Sequence, residues 1–157
     1  MATLFPSGPG IGRIRGIVGL IKQNNGEISI SALAEESEED IDDLLPLIDA
    51  CKLLGFAVVD SSTIRLTKEG GSLTVSNASK AIREKLPSIE PFKSTVAILK
   101  KNYVTSRELF DLLHAKGIVL HGDKSTNDEQ LKKLLLRWGV RSKLIEYDAN
   151  KDEWRLR

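Results

Sequence analysis

A pattern of apolar and polar residues that predicts helix, helix and hairpin occurs twice along the chain. The first copy covers residues 28–67, and the second covers residues 104–117 and 127–157. In each copy a short helix with one apolar face precedes a longer apolar helix, and two short alternating segments follow. This order is typical of a winged helix. We therefore predict a mainly α-helical chain with small β-hairpins (α+β), built as two tandem winged-helix domains joined by a helical linker.

The first copy is preceded by a helix over residues 13–24, because isoleucine and valine recur there at helical spacing. Ser31 can cap the next helix with its hydroxyl. Pro46 lies inside the longer helix and predicts a kink or an offset start there. The remaining elements predicted for this copy are a strand over 27–29, the longer helix over 38–54, and a hairpin of 56–59 with 63–66.

The longer helix of the first copy starts in an acidic run, since seven of the nine residues in 35–43 are Asp or Glu. Such a surface repels phosphate, which provides most of the affinity for DNA. We therefore expect this copy to read DNA poorly and to offer a protein-binding or dimerising surface. The apolar face of the helix is assigned to Ile41, Leu44, Leu45 and Ile48.

The second copy follows a predicted helix over 92–101. Thr105 and Glu108 have the spacing of a capping box, in which each side chain accepts from the other residue's backbone amide. The helix that they open ends at Gly117, and residues 118–126 are predicted to be a loop. A hairpin of 144–147 with 153–156 ends the chain. The apolar face of the capped helix is assigned to Leu109, Leu112 and Leu113.

The longer helix of the second copy, predicted over 127–142, has two different faces. Leu131, Leu134, Leu135 and Trp138 form its core stripe at about 100° per residue. Leu136 and Val140 point the other way, among basic residues. They are either packed against protein, in this chain or in a second subunit, or they accompany a surface that binds nucleic acid.

Basic residues on and after this helix are the candidates for phosphate contacts. Residues 88–157 carry 14 Lys and Arg against 10 Asp and Glu, a net charge of +4, whereas residues 1–87 carry 9 against 12, a net charge of −3. If one half of the chain binds nucleic acid, we therefore expect it to be the positively charged C-terminal half. The candidate residues are Lys132, Lys133, Arg137, Arg141, Lys143, Lys151 and Arg155.

The motifs that the sequence lacks argue against an enzyme. There is no Walker A sequence, no His, Cys and carboxylate spacing that suits a metal, and no pairing typical of a nucleophile. We predict no enzyme activity, no cofactor and no metal.

The sequence contains no run of about 18 apolar residues, so no membrane span is predicted. With a single cysteine, we expect a cytoplasmic protein. The predicted domains are residues 1–70 and 92–157, with a linker at 71–91.

Several motifs resemble the C-terminal AAA-associated domain. They include Asp43-Leu44-Leu45-Pro46, Leu53-Leu54-Gly55-Phe56, Trp138-Gly139 and Tyr147-Asp148. The resemblance implies a module that accompanies the ATPase subunits of nitrate, sulfonate and bicarbonate ABC transporters, although the ATPase motifs themselves are missing here. It implies no catalytic residues.

Two functions follow from these observations. The first is a non-catalytic regulatory or accessory module that acts by protein–protein contact, with a protein partner or a second copy of itself. The alternative is a transcription regulator that binds duplex DNA through the basic second copy. Neither function inserts into a membrane.

Overall fold

A computed structural model describes residues 4–157, which form two compact units. The first unit comprises residues 8–81, and the second comprises residues 82–157 together with residues 4–7. Within the described residues the chain contains eight α-helices and two antiparallel sheets of three strands each, so the mixed α and β content is as predicted. No helix among these residues has the length and apolar content needed to span a membrane.

The first unit begins with one helix, a short strand and two further helices, and a hairpin follows. Its sheet has the strand order β1-β3-β2, so the first strand pairs with the second strand of the hairpin. Its elements are α1 (Ile11–Gln23), β1 (Glu27–Ser29), α2 (Ile30–Ser37), α3 (Ile41–Leu53), β2 (Ala57–Asp60), β3 (Thr63–Leu66) and α4 (Lys68–Gly71).

The second unit repeats this order of elements. Its sheet has the strand order β4-β6-β5, and α5 (Ala78–Lys85) crosses the limit between the units. Its further elements are a 3₁₀ turn (Leu86–Ser88), α6 (Phe92–Lys101), β4 (Val104–Thr105), α7 (Ser106–Ala115), α8 (Lys124–Leu134), a π-helical segment (Leu135–Val140), β5 (Ile145–Asp148) and β6 (Glu153–Leu156).

The helix caps predicted for α7 and α2 can be compared with those in the structure, and one of them is corrected. Thr105 and Glu108 form the predicted capping box. The cap of α2 is Ser29 rather than Ser31, and its hydroxyl accepts from the Ala32 backbone amide at 3.1 Å. The helix starts earlier because Ser29 already has the extended backbone that an N-cap requires.

Two predicted helix faces were partly wrong. Ile41 and Leu45 are 46% and 42% exposed, and Leu112 is 44% exposed. The buried positions recur three and four residues apart. They include Leu47 in α3 and Phe110 in α7, which the prediction had left out, and not Ile41, Leu45 or Leu112. α3 also runs through Pro46 without interruption.

The long basic helix differs from its prediction at both ends. It begins at Lys124, inside the predicted loop, because the Asp123 carboxylate accepts from the Thr126 amide at 2.9 Å and caps it. After Leu134 it widens into a π-helical segment. A Cβ on Gly139, within that segment, would lie 2.8 Å from Cδ1 of Ile145, so the glycine leaves room for β5 to pack there.

Candidate protein- and nucleic-acid-binding surfaces

A fully buried stripe fixes the orientation of α8 and the π-helical segment. Leu131, Leu134, Leu135 and Trp138 are all 0% exposed, which confirms the predicted core stripe. The Phe5 ring packs edge-on against Trp138 with a centroid distance of 4.6 Å. Because the stripe is locked into the core of the second unit, the basic residues of the same helix lie on its outer face.

Among the candidate basic residues, Lys132, Lys133 and Arg155 interact with groups of the second unit itself. Lys132 is half-buried, with Nζ 5.1 Å from the centre of the Tyr147 ring. Lys133 pairs with Glu129 at 3.3 Å, and Arg155 Nε lies 3.6 Å from a Glu146 oxygen. Glu129 and Glu146 partly neutralise the positive charge of Lys133 and Arg155, and ion pairs of this kind at a surface add little stability.

The other four candidates, Arg137, Arg141, Lys143 and Lys151, are exposed. Arg141, Lys143 and Lys151 have no carboxylate partner within residues 4–157. Lys143 has a left-handed backbone with φ of 67°, directly after the π-helical segment. Their role as nucleic-acid contacts stays a prediction, since nothing in the geometry assigns them a ligand.

Leu136 and Val140, the candidate protein-interface residues, are half-buried. They are neither part of the core nor fully accessible. Val140 lines an open groove with β5 and β6, together with Tyr147 and Arg155. Both residues stay candidates for a protein interface.

A hydrogen-bonded network that the sequence did not reveal braces the C-terminal hairpin. The Asp152 carboxylate accepts from the Ser106 hydroxyl at 2.5 Å and from the Tyr147 hydroxyl at 2.6 Å. The indole of Trp154 donates to Ser106 at 2.8 Å. The Ser106 hydrogen bond, then that of Tyr147 and the charge of Lys132, hold the pKa of Asp152 below its usual value against a smaller effect of burial.

An exposed apolar pair on α3 is the most distinctive surface of the first unit. Ile41 and Leu45 lie one helical turn apart, and the carboxylates of Asp42 and Asp49 are exposed on the same helix. We call these four residues the α3 face. Sequence reasoning placed the apolar pair in the core, because spacing alone does not separate the edge of a buried stripe from an exposed neighbour.

The titratable residues of the described part of the chain form no metal-binding cluster. Among residues 4–157 no group of three His, Cys, Asp or Glu side chains is arranged to hold a metal. His121 is used locally, since its Nδ1 accepts from the Asp123 amide at 3.0 Å. Cys51 is completely buried, and burial raises the pKa of its thiol to about 12.

Comparison with known proteins places the chain in a family. The family model for the C-terminal AAA-associated domain matches residues 31–148, about three quarters of the chain. The matched segment starts in α2 and ends with β5, so it includes elements of both units. No curated protein and no solved structure matches the chain.

Proposed function

Because the chain belongs to the C-terminal AAA-associated domain family, as its motifs indicated, we propose that it is a non-catalytic accessory module of ABC-transporter ATPases. It acts by protein–protein contact in the cytoplasm, as a regulator of the ATPase. The observation that carries this proposal is the α3 face, on which two apolar side chains are exposed beside carboxylates.

We further propose that each unit is a winged helix. Each has the order helix, strand, helix, helix and hairpin, with the first strand added to the hairpin. The proposed domains, residues 1–70 and 92–157 with a linker at 71–91, differ somewhat in their limits from the two compact units. In DNA-binding winged helices, the position of α3 is the one that enters the major groove.

The chemistry of the α3 face supports a protein partner. Exposed leucine and isoleucine gain free energy when they are covered by apolar atoms, at roughly 25 cal/mol per Å² removed from water. The carboxylates of the acidic run 35–43 would repel nucleic acid but attract a basic rim on a protein. A partner surface with an apolar centre and basic surroundings is therefore complementary.

Affinity purification from the native cell tests the proposal. Tagged wild-type protein is expected to enrich an ABC-transporter ATPase subunit, and the double variant Ile41→Gln, Leu45→Gln is expected to lose it. Both positions are exposed and glutamine is a good helix former, so the fold is retained. Leu112→Gln, an equally exposed leucine on α7, is the matched control and keeps the subunit.

Two results would contradict the proposal. If the wild-type protein enriches no ATPase subunit, the accessory role is wrong. If the α3 double variant and Leu112→Gln enrich the subunit equally, the ATPase is bound elsewhere. Leu136→Gln and Val140→Gln then test the second candidate interface, and circular dichroism confirms that each variant is folded.

DNA binding by the second unit is the alternative function. It is favoured by the exposed cations Arg141, Lys143 and Lys151, which have no carboxylate partner within the described residues. They lie at the end of the π-helical segment and in the hairpin turn, the positions that recognition helix and wing occupy in a winged helix.

A further inference from the structure

An apolar groove crosses the outer surface of α1 in the first unit. Its volume is about 180 Å³, and its lining is mainly apolar. Val18, Gly19 and Leu73 are buried or half-buried at the groove, whereas Val75 is 81% exposed at its edge. Apolar surface that is open to water in a concave site is the usual lining of a small-molecule site.

Two cations stand beside this apolar lining. Arg15 and Lys22 both line the groove and are seven residues apart on α1, so about 10 Å of helix axis separates them. Lys22 Nζ donates to the Leu73 carbonyl at 2.6 Å, which holds the ammonium at the wall. Within residues 4–157 neither cation has a carboxylate at ion-pair distance, although neighbouring Arg13 pairs with Glu39.

The wall opposite α1 is held in place by local hydrogen bonds. The Thr74 amide donates to Asn77 Oδ1 at 2.7 Å, and the Asn77 amide donates to Thr74 Oγ1 at 3.2 Å. Asn77 Nδ2 also donates to the Ser72 carbonyl at 3.0 Å. The exposed Val75 therefore projects from a braced turn, which keeps the groove preformed.

Gly19 creates the open space on the helix side. A Cβ built on Gly19 meets no atom within 4 Å, and its backbone is helical. Any side chain at this position would extend into the groove without disturbing α1. A Cβ on Gly12 likewise meets no atom within 4 Å, but Gly12 does not line the groove.

We propose that this groove binds a small organic anion with a short aliphatic body, its carboxylate at Arg15 and its chain along Val18, Gly19 and Leu73. The groove, of about 180 Å³, is small and suits a short aliphatic chain. The anion neutralises an unpaired cation while its chain covers apolar surface. The site is separate from the proposed protein contact, since neither Ile41 nor Leu45 lines it.

Titration by two-dimensional NMR of the full chain tests this site with three probes. Hexanoate is expected to give saturable shifts at residues 15–22 and 72–75. Hexylamine, which has the same chain and a positive charge, is expected to give none there. Acetate, which has the same carboxylate without the chain, is expected to bind at least tenfold more weakly.

Variants of α1 locate the binding. Gly19→Leu fills the groove and is expected to abolish the hexanoate shifts, whereas Gly12→Leu on the same helix leaves them unchanged. Arg15→Gln is expected to weaken hexanoate binding about tenfold, as loss of a charged hydrogen bond does. Arg15→Lys restores part of the affinity.

The proposal is overturned if hexanoate and hexylamine give the same shifts, because the cations then select nothing. It is also overturned if Gly19→Leu and Gly12→Leu bind hexanoate equally, or if no shift saturates. Circular dichroism of both variants shows whether α1 remains helical, and a variant that has lost its helix is replaced by Gly19→Ala, which reduces the groove by one methyl group.

Discussion

At Gly70 the backbone of α4 passes directly over the carbonyl of Phe56. A Cβ at this position would lie 1.9 Å from the Phe56 oxygen and 2.8 Å from its carbon, so no side chain fits without moving backbone. The contact is fixed from both sides, because the Thr67 amide donates to the Phe56 carbonyl and the Thr67 hydroxyl donates to the Gly55 carbonyl. The end of the hairpin can pack this closely because residue 70 has a hydrogen atom where other residues have a Cβ.

Gly70→Ala is expected to lower the free energy of unfolding by about 3 kcal/mol, the upper part of the range for overpacking. Gly16→Ala is the matched control. Gly16 lies in the interior of α1 with no atom within 4 Å of a Cβ, so alanine there should raise the free energy by about 0.5 kcal/mol. Urea unfolding followed by far-UV circular dichroism measures both, and equal midpoints would refute the backbone contact.

Asp152 gives a pH dependence to the brace of the C-terminal hairpin. Its folded pKa is lowered, first by the Ser106 hydrogen bond and then by that of Tyr147, so its contribution to stability is present above the unfolded pKa. The contribution is lost as the pH falls through the lowered folded pKa.

Asp152→Asn tests this dependence without changing the backbone, since asparagine tolerates the left-handed conformation with φ of 51°. Wild type is expected to exceed the variant in stability at pH 7, with a gap that narrows as the pH falls below about 4. Urea midpoints at pH 7, 5, 4 and 3 measure it. A gap that is constant with pH would show that the carboxylate charge contributes nothing.

At the level of elements, the features that depend on local sequence were predictable, whereas those that depend on tertiary burial were not. The capping box, both hairpins and the core stripe of α8 were predictable because they depend on residues close in sequence. The exposure of Ile41 and Leu45 was not, since it depends on which neighbours the helix meets. Similarly, the candidate cations were found from their spacing, but the ring of Tyr147 beside Lys132 is set by strand register.

The capping box of α7 should be measurable as a single element. Thr105→Ala removes the oxygen that accepts from the Glu108 amide at 3.3 Å, and it is expected to lower the free energy of unfolding by about 1 kcal/mol. Thr105→Ser keeps the hydroxyl and should lose much less. Urea unfolding followed by tryptophan fluorescence suits this test, because Trp138 and Trp154 both lie in the second unit. Equal losses would show that the methyl group matters rather than the cap.

At the level of the whole chain, the net charge of +1 conceals two halves of opposite sign. The acidic run lies in the half with net charge −3, and all seven candidate cations lie in the half with net charge +4. A partner that meets both halves would therefore experience attraction at one and repulsion at the other. DNA, with its uniform negative charge, would be attracted by the C-terminal half and repelled by the N-terminal half.

Fluorescence titration with mixed-sequence duplex DNA at low and moderate salt separates the two functions. If the second unit binds DNA, affinity falls with log salt at a slope of about −0.9 for each phosphate contacted, and Arg141→Gln with Lys151→Gln makes the slope shallower by about 2. The matched control, Lys100→Gln with Lys101→Gln, removes the same charge from exposed positions on α6 and should leave the slope nearly unchanged. Equal changes in both double variants would indicate attraction by net charge alone. Absence of binding even at low salt would exclude the DNA function and leave protein contact through the α3 face.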